Sequence, residues 1–430
     1  MSKPSRTGRL VKEGSWIIIG QLMIVIGSVV GVGWLTELMS PAGYGELALG
    51  LTVSSLVNQV LFGPINSGIS RFYAPAMEKN AQGAFWAAVY WLIGRAMIVT
   101  VISGVIVLIV IAACGNLKWL PLFALAFVFS IFSSLTSLLS GIHTAARRRS
   151  LAAMHQGWET WGRFTLAAGF LIWLGNDSSI AILGYALASM VTLASQFMFL
   201  PPEAKILGGI PVQEAVEWRQ SIWTFSRPMM IYGIFTWAQI ASDRWAVNGF
   251  CSVSDVGLYS VLIQLGAYPM ALVTGTCVQF IAPILYQRAG DASEAHRIAN
   301  VRKIGFTLIA ACLILTTIGS IFAAYFHVWI FHVFVAKEYG SVSYLFPWML
   351  VAGGIFAAGQ VLALNLMSER KTGNMVTGKI VTALVGIFAN ILGAAILGLE
   401  GLVIAAIFFS FSYFLWMASL MLPSKAISET

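Results

Sequence analysis

The chain has 430 residues, of which 58% are hydrophobic and 10% are charged, and its formal net charge is +8. Because soluble domains carry about 25% charged residues, this composition excludes a water-soluble globular fold and indicates an integral membrane protein. The four cysteines are scattered along the chain, so neither a disulfide framework nor a metal site is predicted.

Apolar runs of about 20 residues recur along the chain, and each is long enough to cross a bilayer as a helix. The first run begins at Trp16 and is longer than the apolar core of a cleaved signal, so it is predicted to remain as a helix. Twelve spans are predicted in all: 16–38, 47–70, 84–113, 121–142, 151–174, 179–200, 229–250, 257–282, 303–326, 345–367, 375–398 and 401–422.

The basic residues orient these spans. Of the 25 Lys and Arg residues, 20 are assigned to the side of the N-terminus, two to the opposite side and three to helix interiors. Because cytoplasmic loops carry the excess of basic residues, both termini are predicted to be cytoplasmic. The basic clusters coincide with the expected level of anionic lipid headgroups, so the net charge does not indicate nucleic-acid binding.

A polar link in the middle of the chain suggests two halves. Residues 201–228 separate six predicted spans from six others, which predicts an N-terminal lobe over 1–200, a cytoplasmic linker over 201–228 and a C-terminal lobe over 229–430. An offset of 212 residues places Ser40 on Ser252, each directly after the first helix of its half. The predicted fold is therefore all-α, with two six-helix lobes related as a parallel repeat.

Two segments resemble a known family. LTELMSPAGYGELA follows the first predicted helix, and SDRWAVNGFCSVSDVGLYS ends the seventh and leads into the eighth. Both are similar to segments of the polysaccharide-biosynthesis flippases, which export O-antigen and exopolysaccharide units and belong to the multidrug/oligosaccharidyl-lipid/polysaccharide (MOP) superfamily. Helix count, half-repeat and length extend the resemblance over nearly the whole chain. In the first segment, Gly43 and Gly45 are expected to form a tight outer turn.

The resemblance implies an architecture and a function. Two lobes would surround a central cavity that opens to one side of the membrane at a time. The substrate would be an undecaprenyl-diphosphate-linked oligosaccharide, moved from the cytoplasmic to the outer leaflet of the bacterial cytoplasmic membrane. The expected partners are this substrate, membrane lipids and a candidate H⁺ or Na⁺ counter-ion, with no nucleic acid. The carrier is expected to be monomeric and to need no cofactor.

Ionisable groups at membrane depth are costly and mark candidate sites. Glu159 and Arg163 share one helical face and either form a bracing pair or face a cavity. Asp243 and Arg244 match a pair that the resemblance places here, and they either bind substrate or brace the lobe. The candidate substrate-binding residues are Arg163, Arg244, Arg95, Arg71 and Arg288, and the candidate ion-coupling or charge-pair residues are Asp243 and Glu159.

Three of these arginines keep a second interpretation. Arg95 lies either inside the membrane or at its interface, because its apolar run is longer than one crossing needs. Arg71 and Arg288 could line the cytoplasmic mouth of a cavity or act as ordinary inside-positive anchors. A guanidinium binds phosphate oxygens bidentately, so an excess of arginine over acid favours an anionic headgroup. Asn66 in the second span could offer its amide to sugar hydroxyls, and Pro64 and Pro269 are expected to loosen their helices.

Two rival functions remain. A multidrug exporter of cations would share the architecture but would be expected to line its cavity with uncompensated carboxylates. A membrane polymerase or ligase acting on lipid-linked sugars would need a substantial outer loop with catalytic groups. The outer segment around His327 and His332 has no nucleophile-and-base arrangement, and the chain has no Walker P-loop. The sequence therefore predicts a non-enzymatic carrier.

Overall fold

The computed structural model describes residues 6–200, 204, 212–289, 294–369 and 372–421, which are almost entirely helical. Most of the polar stretch 201–211, which begins the predicted linker, lies outside the described residues. The α-helices are α1 (Arg6–Leu38), α2 (Pro41–Val57), α3 (Gly63–Glu78), α4 (Gln82–Ala113), α5 (Leu120–Ala145), α6 (Arg149–Leu174), α7 (Ser178–Met198), α8 (Val212–Phe250), α9 (Val253–Leu262), α10 (Tyr268–Ala289), α11 (Ala295–Phe334), α12 (Phe346–Ser368) and α13 (Thr372–Met421).

Nine helices within the described ranges are long and apolar enough to cross a membrane. Several join consecutive elements: Pro41–Glu78 contains α2 and α3, and Val253–Cys277 contains α9 and the start of α10. Helices α6 and α8 are not among the nine, and they carry the Glu159–Arg163 and Asp243–Arg244 pairs. The chain is a multi-pass integral membrane protein, and the prediction of an all-α membrane fold is confirmed.

The chain divides into two compact units, Met1–Trp237 and Ala238–Thr430. The division falls inside α8, so the first part of this helix belongs to unit 1 and its last turns belong to unit 2. In unit 1, Ser226 of α8 donates a 2.9 Å hydrogen bond to the Pro64 carbonyl, and the Trp237 indole donates one of 2.9 Å to the Thr52 carbonyl. The first part of α8 is thereby fastened to α2 and α3.

In unit 1, glycines allow α1 to approach α6 closely. A methyl group at Gly31 would overlap the ring of Phe164, and one at Gly20 would lie 2.8 Å from Cβ of Ala153. Small residues at helix crossings bring backbones together and increase packing contacts between membrane helices. The α1–α6 contact therefore depends on the absence of side chains at these positions.

Each unit contains a π-helical turn directly before a proline. Asn58–Phe62 is followed by Gly63 and Pro64, and Ile263–Ala267 is followed by Tyr268 and Pro269. The N–H of Gly63 bonds to the Asn58 carbonyl, and the N–H of Tyr268 bonds to the Ile263 carbonyl, five residues back in each case. Proline lacks an N–H and clashes with the carbonyl four residues before it, so the wider turn accommodates its ring. The prediction that the two prolines loosen their helices agrees with this geometry.

Matching serines begin the helices that lead into these turns. Ser40 is the N-cap of α2, where its hydroxyl accepts a 3.3 Å hydrogen bond from the Gly43 N–H. Ser252 caps α9 and forms a capping box with Asp255. Gly43 lies within the first turn of α2, so the expectation that Gly43 and Gly45 form the turn itself was wrong. Proline favours the first position of a helix, and α2 begins at Pro41. The chain therefore reverses before Gly43.

In unit 2, α13 consists of two antiparallel arms. Gly398 has φ 59° and ψ −130°, a conformation that favours glycine, and the chain reverses there. A methyl group at Gly378 would meet the ring of Trp416, one at Gly386 would meet Phe409, and one at Gly393 would meet Gly401. These contacts pair residues progressively closer to Gly398 from both sides. The apolar segments predicted over 375–398 and 401–422 are therefore separate helical arms, with residue 422 outside the described range.

Candidate functional site

The charge pair of unit 1 lies where α6 meets α7. Glu159 is 8% exposed, and its Oε1 accepts hydrogen bonds from Nη2 of Arg163 and from Oγ of Ser189, the latter at 2.8 Å. Nε of Arg163 donates to the same Ser189 oxygen at 3.3 Å. The two residues are four apart on α6, so the pair forms within one helix face, and Ser189 ties it to α7.

The Arg163 guanidinium also contacts α5. Its carbon lies 4.9 Å from the centroid of the Phe129 ring, and 28% of its side chain is exposed. Its Nη1 has no hydrogen-bond partner among the described side chains and backbone groups. The pair is neutral as a unit, yet one edge of the planar guanidinium remains free to donate to a phosphate or hydroxyl oxygen.

The charge pair of unit 2 lies at the end of α8. Oδ1 of Asp243 accepts a 2.6 Å hydrogen bond from the Arg244 backbone N–H, and Nη1 of Arg244 lies 3.7 Å from the same oxygen. Tyr259 of α9 is buried and interacts with this carboxylate. Only 13% of the Asp243 side chain and 15% of the Arg244 side chain are exposed. Adjacent residues on a helix thus share one partly buried site.

A polar contact beside this pair joins α8 to the first arm of α13. Nδ2 of Asn390 donates a 2.9 Å hydrogen bond to Oγ of Ser242, the residue before Asp243. The Ser242 hydroxyl in turn donates to the Gln239 carbonyl at 2.9 Å. The packing partner of α8 therefore presents a hydrogen-bonding side chain next to the charged residues.

The other three candidate arginines are exposed and lie apart from these pairs. The guanidinium carbon of Arg71 is 5.2 Å from the Phe225 ring centroid, and that of Arg95 is 4.7 Å from the Trp91 ring centroid. Arg288 lies in the last turn of α10. Within the described part of the chain, none of the three forms an ion pair.

Unit 1 contains a polar cavity. Of the residues that line it, only Asn66 was a candidate from the sequence. Its volume is about 330 Å³, and Oδ1 of Asn66 is buried without a hydrogen-bond partner among the described residues. Ser137, Gly141 and Thr144 have helical spacing along α5, a pattern that could have been read as one face. The polar residues that line the cavity are Asn66, Ser70, Ser137, Ser140, Thr144 and Gln156.

A second feature, an ion pair between Arg302 and Glu369, has no signal in the sequence. Nε and Nη2 of Arg302, in α11, donate to the two Glu369 carboxylate oxygens at 2.6 and 2.7 Å. The Glu369 side chain is 3% exposed and follows the end of α12. Sixty-seven positions separate the partners, so no local spacing predicts the pair. This bidentate bridge connects α11 with α12 inside unit 2.

Comparison with solved structures identifies the fold. A multidrug resistance MATE family transporter of the MOP superfamily, in an inward-facing conformation, is 14% identical over 95% of each chain, with a TM-score of 0.62. The lipid II flippase MurJ, in an inward closed conformation, is 10% identical over 95% of this chain and 87% of its own, with a TM-score of 0.68. A MOP superfamily transporter from Pyrococcus furiosus is 13% identical over 96% of this chain and 95% of its own, with a TM-score of 0.52.

These likenesses extend over nearly the whole length of each protein at low identity. No family model matches the sequence, and no curated protein matches it. The structural agreement therefore bears on architecture alone, and this architecture is the one that the sequence resemblance implied. The chain is a multi-pass membrane protein with the fold of the MOP superfamily transporters.

Proposed function

We propose that this protein is a flippase for lipid-linked oligosaccharides. It would move undecaprenyl-diphosphate-linked repeat units from the cytoplasmic to the outer leaflet of a bacterial cytoplasmic membrane by alternating access, as a non-enzymatic carrier for polysaccharide biosynthesis. The observation that carries the proposal is that Glu159 and Asp243, the carboxylates expected at membrane depth, each have an arginine beside them.

This charge arrangement disfavours a cationic substrate. A carboxylate that already interacts with a guanidinium offers little net attraction to a cation, because the two charges cancel at a distance. The arginines keep part of their hydrogen-bonding capacity, since Nη1 of Arg163 has no partner among the described residues and Arg244 makes its closest acid contact at 3.7 Å. A diphosphate can accept hydrogen bonds from those N–H groups without displacing the acids. Arg163 and Arg244 are therefore the first candidates for contact with the substrate headgroup.

The polar cavity of unit 1 suits the sugar part of such a substrate. Its volume of about 330 Å³ falls at the lower end of the range of small-molecule sites. Six of its eight lining residues carry a hydroxyl or amide group, and the buried Asn66 Oδ1 has no hydrogen-bond donor among the described residues. An uncharged lining of this kind matches a polyhydroxylated group better than a hydrophobic drug.

The architecture in the proposal has twelve spans in two six-helix lobes, 1–200 and 229–430, joined by the linker 201–228 around a central cavity. Nine candidate spans and the reversal of α13 at Gly398 support this count. Helices α6 and α8 supply the remaining two, with 26 and 39 residues respectively. Their buried charges lower their hydropathy, yet their lengths exceed the roughly 20 residues that a crossing requires.

A multidrug exporter is the second candidate, because the MATE transporter noted above has the same fold with a TM-score of 0.62. The Pyrococcus furiosus transporter is described by a binding pocket of reverse polarity that suggests a different function. The fold therefore does not fix the charge of the substrate. The lipid II flippase MurJ, which is named as a flippase, has the same fold and supports the flippase candidate in the same way.

Transport assays on the reconstituted protein can distinguish the flippase from the multidrug exporter. Proteoliposomes with the full chain would be loaded in one leaflet with a fluorescent undecaprenyl-diphosphate oligosaccharide, and in a parallel series with a cationic dye. We expect protein-dependent transfer of the glycolipid, loss of transfer in an Arg163→Ala/Arg244→Ala variant, and no transport of the dye. Dye transport without glycolipid transfer would replace the proposal with the exporter.

A further inference from the structure

Two arginines from different helices of unit 1 stack on one exposed indole. The guanidinium carbon of Arg95, in α4, lies 4.7 Å from the Trp91 ring centroid, and that of Arg219, in α8, lies 4.2 Å from it. Trp91 is 43% exposed. Neither arginine forms an ion pair with any part of the chain that the structure describes, and this includes Glu214 and Glu217 near Arg219 on α8.

The position of Trp91 along α4 corresponds to the edge of the hydrocarbon layer. A bilayer core of about 30 Å takes about 20 helical residues at 1.5 Å each, which counted back from Ala113 ends near Gly94. Exposed apolar side chains begin just inside this limit, at Ile98, Val99, Val101, Ile102, Val105, Ile106, Ile109 and Val110. Arg95 therefore lies at the boundary, and Trp91 lies one turn further out, at the level of the headgroups.

Among the described residues, this geometry leaves two positive charges beside one ring without a negative partner. Like charges repel each other, and the attraction of an indole face for each cation does not cancel its charge. A phosphate within reach of these guanidinium groups would accept hydrogen bonds from them and offset their charge. At the headgroup level, phosphates are supplied by the lipids themselves.

We propose that Arg95, Trp91 and Arg219 form a binding site for the phosphate of an anionic phospholipid. The lipid would bridge α4 and the first part of α8 on the leaflet that the basic residues predict to be cytoplasmic. Its acyl chains would lie along the exposed apolar side chains of α4. The site is independent of the proposed transport function, because it lies on the lipid-facing side of α4 and uses neither charge pair.

Lipid binding to the purified full chain tests this site. Binding of phosphatidylglycerol and of phosphatidylcholine would be measured by native mass spectrometry for the wild-type protein and for Arg95→Gln/Arg219→Gln. We expect phosphatidylglycerol to bind more tightly than phosphatidylcholine, and the double variant to lose about thirtyfold in phosphatidylglycerol affinity. Arg95→Lys/Arg219→Lys should retain part of the preference, because the charges remain while the planar forks are lost.

A matched control exists near the opposite end of α4. Lys118 lies 5.4 Å from the Trp119 ring centroid, a site with one cation on one indole. Lys118→Gln should leave phosphatidylglycerol affinity unchanged, and thermal unfolding in detergent should show that all variants are folded. Equal affinity for both lipids, or an unchanged affinity in the glutamine double variant, would overturn the proposal. So would a double variant that loses only undecaprenyl diphosphate binding, since the site would then belong to the transport substrate.

Discussion

Oγ of Ser189 donates a 2.8 Å hydrogen bond to Oε1 of Glu159, the same oxygen that accepts from Arg163. One carboxylate oxygen therefore links α6 to α7 and also binds the arginine side chain. Replacing either residue therefore changes the contribution of both to the stability of the protein. Transport need not depend on the two residues to the same degree.

Arg163→Ala removes the charge that neutralises Glu159 while that carboxylate stays buried. We expect a loss of stability of about 3 kcal/mol, in the range found when one partner of a buried pair is removed, together with loss of surface polysaccharide. Glu159→Gln/Arg163→Gln should recover most of the stability without recovering export. Unfolding in detergent and polysaccharide staining of cells measure the two effects. Normal export in Arg163→Ala would remove this residue from the candidate site.

Asp243→Asn tests whether this carboxylate carries a coupling ion. If H⁺ or Na⁺ is bound here, the variant should lose the dependence of glycolipid transfer on an imposed gradient, since an amide cannot exchange a proton or neutralise sodium. Transfer by wild-type protein and variant would be compared in proteoliposomes with and without each gradient. A wild-type rate that is indifferent to both gradients would exclude ion coupling.

Gly31→Ala should disturb the contact between α1 and α6, because the new methyl group would overlap the ring of Phe164. Overpacking of this kind costs about 1–3 kcal/mol. Gly169→Ala on α6 is the control, since no heavy atom lies within 4 Å of a methyl group there. Thermal unfolding of the two variants should differ in direction, with Gly169→Ala equal to or more stable than wild type.

Arg302→Gln leaves Glu369 without its bidentate partner in a buried position. The expected destabilisation is about 3–5 kcal/mol. Arg297→Gln breaks a second ion pair, with Glu294, whose side chains are 48% and 59% exposed, and it should cost no more than about 1 kcal/mol. Comparable unfolding midpoints for the two variants would show that the buried bridge contributes little to unit 2.

Ser137→Leu would place an apolar side chain in the polar cavity of unit 1. If the cavity binds sugar, transfer of an oligosaccharide-bearing lipid should fall at least tenfold, and transfer of undecaprenyl diphosphate without sugars should change little. Thr165→Leu, an exposed position on α6 outside the cavity lining, serves as the control. A parallel loss for both lipids would indicate that the substitution acts on the carrier cycle and not on sugar recognition.

Much of the architecture followed from apolar periodicity, because each crossing needs its own apolar run. The reversal at Gly398 could be anticipated since Gly398, Glu400 and Gly401 interrupt an otherwise apolar stretch. The charge pair on α6 could also be predicted, because a spacing of four residues places the two side chains on one face. Ser189 could not, since its part in that pair depends on how α7 packs on α6.

Interactions between residues that are far apart in the sequence could not be predicted. The sequence has no local signal for the bond of Glu369 to Arg302. The unpaired Oδ1 of Asn66 becomes significant only because Asn66 and serines of α5 line one cavity. The same limit applies to Arg95. The sequence allowed Arg95 to lie either inside the membrane or at its interface. The second arginine on the Trp91 ring, Arg219, comes from a helix more than one hundred positions away.

The helices that lead to Pro64 and Pro269 differ in length between the two halves of the sequence. Ser40 precedes Pro64 by 24 positions, whereas Ser252 precedes Pro269 by 17. The surplus in the first half is one heptad, which adds about 10 Å of length but turns the helix by only about 20° from its original phase. In the first half, the serine cap therefore lies about two helical turns further from its proline, while the cap keeps nearly the same direction around the helix axis.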